Sequence, residues 1–175
     1  MRIAKVPIGL RKEDSDLPSI ISLGSTLILE DQYRSSIDSF EKIEKLMVPT
    51  QRRPTVSEYQ DLLDAWAVVT EIRSNGVVLW KEGTSLGIGT GQTDRVGAVE
   101  DAIGKAERYN HDLQGGVMAS DGFIPNVDNI EAIAKKGIKA VIQPGGSAAD
   151  KSVIAKCDEN GIAMVFTAER AFSHF

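Results

Sequence analysis

Three short apolar runs recur through the last third of the chain: residues 116–120 (GVMAS), 138–143 (IKAVIQ) and 162–167 (IAMVFT). Two stretches of helix length separate them, over about 130–136 and 149–160. Each is followed by a glycine, Gly137 and Gly161, at the position where helices commonly end in a left-handed residue. Asp128 and Glu131 fit a capping box ahead of the first helix, and Val153, Ile154 and Cys157 form the inward side of the second. Runs that are apolar throughout, not at alternate positions, belong to strands of a sheet covered on both faces. The β-α-β-α-β order with crossover-length helices therefore makes this an α/β chain.

Upstream, residues 55–72 read as a long amphipathic helix. Thr55 and Glu58 fit a capping box, and Val56, Tyr59, Leu62, Leu63, Trp66, Val69 and Ile72 recur at spacings of three and four. Residues 76–81 and 85–90 read as strands of a hairpin turning at Glu82-Gly83. A helix over about 96–109 follows, with Thr93 or Asp94 as its cap. Earlier still, Ile37, Phe40, Ile43 and Met47 suggest a short helical stripe limited by Pro49 and Pro54. Residues 20–30 read as one strand with a glycine interruption, an edge strand in character. We divide the chain into a lead-in, 1–34, and an α/β domain, 35–175.

Twenty basic and 25 acidic residues leave a net charge of −5, which argues against nucleic acid as a partner while leaving room for a local anion site. A single cysteine excludes an intramolecular disulfide framework. Nothing approaches the roughly 20 apolar residues that span a bilayer, and no signal-peptide pattern opens the chain. The expectation is a cytoplasmic protein with no membrane partner. One cysteine and two distant histidines, His111 and His174, make no zinc set, so no metal is expected.

Gly87, Gly89 and Gly91 (GIGTG) end a strand ahead of a helix. The spacing fails the dinucleotide pattern because Asp94 stands where the third glycine belongs. A turn whose backbone closely approaches a ligand or another segment fits better, and a plain tight turn is the alternative. Pro144-Gly145-Gly146-Ser147 occupies the matching place after the next strand, where open α/β sheets bind ligands and where a helix start adds amide donors. Asp150 either complements its own helix start or takes part in chemistry. Asp121, in Ser120-Asp121-Gly122-Phe123, either accepts from a ligand amine or ring nitrogen or caps its turn. Asn75 carries the same ambiguity, and its amide suits a nitrogen-rich ring or a carboxamide. At the end of the chain, Arg170 suits a phosphate or carboxylate and Phe172 suits a planar ring. Packing at a subunit interface would use the same pair.

Several of these segments occur together in a known order: Ser74-Asn75-Gly76-Val77-Val78, the 87–92 run, Arg95-Val96, Ala119-Ser120-Asp121, the 142–147 run, the 161–167 run, then Arg170, Phe172 and His174. In that order the chain resembles the C-terminal part of the bifunctional family coupling phosphoribosylaminoimidazolecarboxamide (AICAR) formyltransferase to IMP cyclohydrolase in purine biosynthesis. The resemblance covers 50–175 well and points to the second half of the transformylase. It implies a three-layer α/β/α sandwich with a mixed sheet, cytidine-deaminase-like but without zinc. It also implies transfer of the formyl group of 10-formyltetrahydrofolate, the co-substrate, to the AICAR amine. The alternative is a non-catalytic phosphoribosyl-carboxamide binding or structural protein.

By the same resemblance Asn75 lies near the substrate base, Arg170 at its phosphate and Phe172 by its ring, with Asp121 in the same set. Gly89, Gly91, Gln92 and Arg95 form a loop at the folate side, and Pro125, Asp128 and Asn129 lie toward the pterin. Two positions depart from the family's pattern. Asn126 and Val127 stand where it has an aromatic and an arginine, and Arg73 stands where it commonly has lysine. The Lys-His dipeptide with which the family moves the amine's proton does not occur here. The resemblance thus implies a homodimer or a second chain carrying the missing half, with catalytic residues unassigned in this chain.

Overall fold

The computed structural model describes residues 19–23, 26–30 and 34–172. The chain divides into two compact units, Met1–Arg34 and Ser35–Phe175. In the first, β1 (Ser19–Leu23) and β2 (Thr26–Glu30) pair antiparallel, Ser19 opposite Glu30 and Leu23 opposite Thr26. The segment read as one interrupted strand is therefore two. The interruption itself falls at 24–25, outside the described residues.

The second unit is a five-stranded sheet in the order β4-β3-β5-β6-β7. Its strands are β3 (Val77–Lys81), β4 (Thr84–Gly89), β5 (Val117–Ser120), β6 (Ala140–Gln143) and β7 (Ala163–Phe166). β3 runs antiparallel to both β4 and β5, whereas β5, β6 and β7 run parallel to one another. The sheet is therefore mixed, and the parallel part is the β-α-β-α-β segment read from the sequence. The helices are α1 (Phe40–Glu44), α2 (Val56–Val69), α3 (Arg95–Arg108), α4 (Val127–Lys135) and α5 (Asp150–Glu159).

The apolar strands bury both faces because alternate side chains point opposite ways. Val77, Leu79, Met118, Val141 and Met164 join one core with Ala98, Ala102, Ile130, Ile133, Val153 and Cys157 of α3, α4 and α5. Helix α2 packs against β3, β5 and β6, with Leu62, Ala65, Trp66 and Val69 fully buried. Helices on both sides of one sheet make the three-layer α/β/α arrangement.

The expected α2 capping box is present. The Glu58 amide donates to Thr55 Oγ1 at 3.2 Å, and the Thr55 amide donates to Glu58 Oε2 at 2.7 Å. Arg52 then clamps Glu58 at 2.6 and 2.8 Å and donates to the Lys139 carbonyl at 2.9 Å. Val56 departs from the expected stripe: it is 75% exposed, and the buried side of α2 begins with Glu58 and Tyr59. The β3–β4 turn is formed by Glu82 and Gly83, both at positive φ (50° and 74°), as a two-residue hairpin of this twist requires. Buried Asp61 of α2 accepts from both of their amides, at 3.0 and 3.2 Å.

Asp94 caps α3 by accepting from the Gly97 amide at 2.7 Å. Gly87 and Gly89 are required by that helix. A Cβ on Gly87 would lie 2.1 Å from the Ala102 carbonyl oxygen, and one on Gly89 would lie 1.9 Å from that of Ala98. Of the two close approaches open for this run, the one found is to another segment. At α4 the expected Asp128–Glu131 capping box is not formed. The extended residue Asn126 is the N-cap and makes no side-chain cap bond, and Asp128 lies inside the first turn.

Candidate functional site

The ends of β3, β4 and β5 and the C-terminal segment converge on Asp121. Its carboxylate is wholly buried. Oδ1 accepts from Arg95 Nη1 at 2.6 Å, while Oδ2 accepts from Ser74 Oγ at 2.5 Å and the Gly76 amide at 2.9 Å. Arg95 begins α3 and is only 6% exposed. Its Nη1 also donates to the Gly76 carbonyl at 2.7 Å, and Nη2 donates to Asn75 Oδ1 at 3.0 Å. Asn75 completes the chain: its Nδ2 and its backbone amide both donate to the Gln92 carbonyl, at 3.0 and 3.1 Å. A buried ion pair of this kind is sustained by such additional bonds, because each charge has lost its hydration.

The backbone of Asp121 holds the tail. Its carbonyl accepts from the Ala171 amide at 2.9 Å. Phe172 then lies across Gly122, where a Cβ would come within 2.6 Å of both its Cε1 and Arg95 Nη2. Gly122 is needed for that approach. Arg170 places its guanidinium carbon 5.3 Å from the centre of the Phe123 ring, within cation–π range. Arg170 and Phe172 remain exposed, Phe172 at 40%. The cluster thus presents a guanidinium, an aromatic ring and a half-buried amide on a framework tied by charge-assisted bonds.

Among the sequence-predicted residues, Asn75, Asp121, Arg170 and Phe172 do come together. Arg95 joins them, where a position on the cofactor loop was expected, because α3 starts beneath Gly76 and its side chain turns inward. Asp121 has no oxygen directed to solvent. It orders Arg95, Ser74 and Gly76, and the expectation that it accepts from a ligand is corrected on that ground. Gly89 likewise faces α3, leaving Gly91 and Gln92 at the surface of that loop. The Gly91 amide donates to the Arg73 carbonyl at 2.8 Å.

Pro125, Asp128 and Asn129 stand at the start of α4, directly after this cluster in the chain. Asp128 is exposed. Asn129 is 1% exposed, its Nδ2 directed at the Asn126 carbonyl at 3.4 Å, and its buried Oδ1 has no partner.

The Pro144–Ser147 loop differs from the expected anion site. Asp150 Oδ2 accepts from the amides of Gly146 and Ser147 at 2.7 and 3.2 Å, so its carboxylate already occupies those donors. Buried Gln143 was given no role in the sequence reading, yet it joins two loops. Its Oε1 accepts from Ile124 and Gly145 at 3.2 and 3.1 Å. A polar residue closing an otherwise apolar strand was the available signal. Burial pushes the Cys157 thiol up to about 12, so it is no nucleophile at neutral pH. Among the described residues no group of three His, Cys, Asp or Glu side chains could hold a metal ion, and no helix is long and apolar enough to cross a membrane. His174 lies outside the described residues.

The fold and this cluster define an α/β protein whose polar loops meet at one end of a mixed sheet. Residues 10–105 match the model of the AICARFT/IMPCHase bienzyme family. A bifunctional purine biosynthesis protein PurH of Aquifex aeolicus is 53% identical over 131 residues, covering 75% of this chain and 26% of the relative. Those of Anoxybacillus flavithermus and Xanthomonas euvesicatoria are 43% and 44% identical, covering 98% and 99% of this chain and 32% of each relative. The chain belongs to the AICARFT/IMPCHase bienzyme family, and it spans about a quarter to a third of the length of these relatives. Among solved structures, the apo dCMP deaminase of cyanophage S-TIM5 is similar at 16% identity and TM-score 0.44, covering 65% of this chain and 98% of the deaminase. A Thermotoga maritima deaminase/reductase acting on phosphoribosylaminopyrimidines is similar at 18% and 0.43, covering 73% and 36%.

Proposed function

We propose that this chain supplies the nucleotide-binding part of an AICAR formyltransferase site and works with a second transformylase half, in the same assembly or in a partner chain. The family description and the names of the relatives cover two activities and assign this stretch to neither. The observation that carries the reading is the delivery of Arg170 and Phe172, from the end of the chain, to the loops holding Asn75, Arg95 and Asp121. In this reading Arg170 takes the ribose phosphate, Phe172 stacks on the imidazole ring, and Asn75, oriented by Arg95 and the Gln92 carbonyl, meets the carboxamide. Gly91, Gln92, Pro125 and Asp128 lie toward the folate in this reading, with Asn129 buried behind them at the start of α4.

The reaction forms a bond from the AICAR amine nitrogen to the formyl carbon, breaks the bond from that carbon to the folate N10, and moves one proton from the amine to N10. A weakly basic aromatic amine needs a positioned proton acceptor for this, and we assign that role to the missing half.

Titration calorimetry of the full chain with AICAR, and separately with a folate, tests the reading. AICAR binding is expected, and Arg170→Ala should weaken it by at least about 1.5 kcal/mol, the worth of a charge-assisted contact. Unchanged affinity would remove Arg170 from the site. Little formyl transfer is expected from the chain alone. Turnover at ordinary enzyme rates without a partner would overturn the assignment of proton transfer to another half. Closure of the formylated product to IMP by this chain would move it to the cyclohydrolase side of the family.

A further inference from the structure

Residues 167–172 belong to no helix or strand, yet they carry the two exposed side chains of the site. The Thr167 and Ala168 amides donate to the Gln143 and Pro144 carbonyls at 2.9 and 3.1 Å, and three further anchors follow. Thr167 Oγ1 accepts from the Glu169 amide at 3.1 Å and donates to its carbonyl at 3.0 Å. The Ala171 amide donates to the Asp121 carbonyl at 2.9 Å, and the Ala171 side chain is buried. The third anchor is the Glu169 carboxylate, and it reaches the other end of the unit. Oε2 accepts from Ser35 Oγ at 2.8 Å, the Ser36 amide lies 3.2 and 3.3 Å from the two oxygens, and Ser36 Oγ donates to Oε1.

Ser35 is itself fixed. Its Oγ accepts from Trp66 Nε1 at 2.7 Å and from the Ile37 amide at 3.0 Å. One proton and two lone pairs are all a hydroxyl has, so its direction toward Glu169 is determined. Trp66, fully buried in α2, thereby relays the position of the core to the tail. Arg170 sits between two anchored residues, Glu169 and Ala171, and Phe172 follows directly.

We propose that Glu169, clasped by Ser35 and Ser36 and aimed through Trp66, is a positioning residue for Arg170 and Phe172. It sets the path of the tail so that guanidinium and ring face one ligand. The proposal rests on the reading of that pair as the AICAR-binding segment.

The full chain, with Glu169→Ala and Ser36→Ala variants, tests it by amide exchange without ligand, thermal unfolding and AICAR titration. In Glu169→Ala, exchange at Ala171 should accelerate about tenfold and AICAR affinity should fall about tenfold, as loss of a charge-assisted anchor implies. Amides of β5 and β6 should keep their rates, and Ser36→Ala should fall between wild type and Glu169→Ala. Unchanged exchange at Ala171 overturns the proposal, as does equal acceleration throughout β5 and β6, which marks a purely structural residue. If the tail loosens as expected while the wild-type chain binds no AICAR, the clasp is upheld and the ligand reading is what fails.

Discussion

Asp121→Asn isolates the feature on which the site is built. The substitution keeps the shape of the side chain and removes its charge. Arg95, 6% exposed and paired at 2.6 Å, would keep a buried charge opposite a neutral amide. The amide nitrogen would also have to face either Arg95 Nη1 or the Ser74 hydroxyl and Gly76 amide, all donors to the present carboxylate. Breaking a buried pair from one side costs about 3–5 kcal/mol. Against a total stability on the order of 5–15 kcal/mol, that is a large fraction. It corresponds to a fall in Tm of roughly 6–20 °C for a chain of this size. Urea unfolding followed by circular dichroism should show a lower midpoint with an unchanged slope. The double variant Arg95→Met/Asp121→Asn leaves no unpaired charge, so it should lose at least about 2 kcal/mol less than the two single variants summed. A cost below about 1 kcal/mol for Asp121→Asn, the level of an exposed pair, would refute the reasoning. So would strict additivity in the double variant.

Other perturbations follow from the same coordinates. Gly104, in the interior of α3 with open space where a Cβ would sit, should stabilise by about 0.5–1 kcal/mol as Gly104→Ala. Gly89→Ala, which drives a Cβ to within 1.9 Å of the Ala98 carbonyl oxygen, should destabilise strongly, and chemical denaturation of the pair checks both signs. Cys157, with its thiol raised to about 12 by burial, should label with a thiol reagent at pH 8 only as the chain unfolds; rapid labelling of the native chain would contradict its burial. The Lys81 ammonium, first, and the Gln114 amide hold the exposed Asp112 carboxyl below its usual range. Its small contribution to stability is therefore present above the ordinary carboxylate pKa and is lost as pH falls through the lowered one. A carboxyl NMR titration should return it toward the ordinary value in Lys81→Met.

What the sequence made legible was whatever a local pattern encodes. The cap, the stripe and the wholly apolar strands produced α2 and the β5–β7 segment with boundaries close to those found. The mixed sheet came with the family resemblance. Two kinds of feature escaped. One was the exact start of an element: Asn126 caps α4 because its extended backbone precedes the first helical residue, whereas Asp128 had the better local pattern. The other was pairing across the sheet. Arg95 and Asp121 are 26 positions apart, and each had an adequate local explanation. They meet because β3 lies between β4 and β5, which brings the start of α3 under Gly76. Glu169 and Ser35, 134 positions apart, had no local signal at all.

These long-range bonds explain how an unpatterned tail can serve a binding site. A flexible segment that closes on a ligand pays its ordering entropy at binding, and affinity falls accordingly. Here the Asp121 carbonyl and the Ser35–Ser36 clasp order the backbone on either side of Arg170 during folding. The buried Arg95–Asp121 pair meanwhile fixes the loop on which Phe172 rests. The large side chains that reach the surface of this segment are those of Arg170 and Phe172, which the proposed ligand would engage. Binding and chemistry then divide between two structural sources. In the proposed reading this unit supplies a cradle for a phosphorylated ring, and proton transfer comes from residues brought to it by a second half. Supplying that remaining half in trans should therefore raise turnover while leaving AICAR affinity nearly unchanged. A large gain in affinity on adding it would mean that the cradle is not formed until the halves meet.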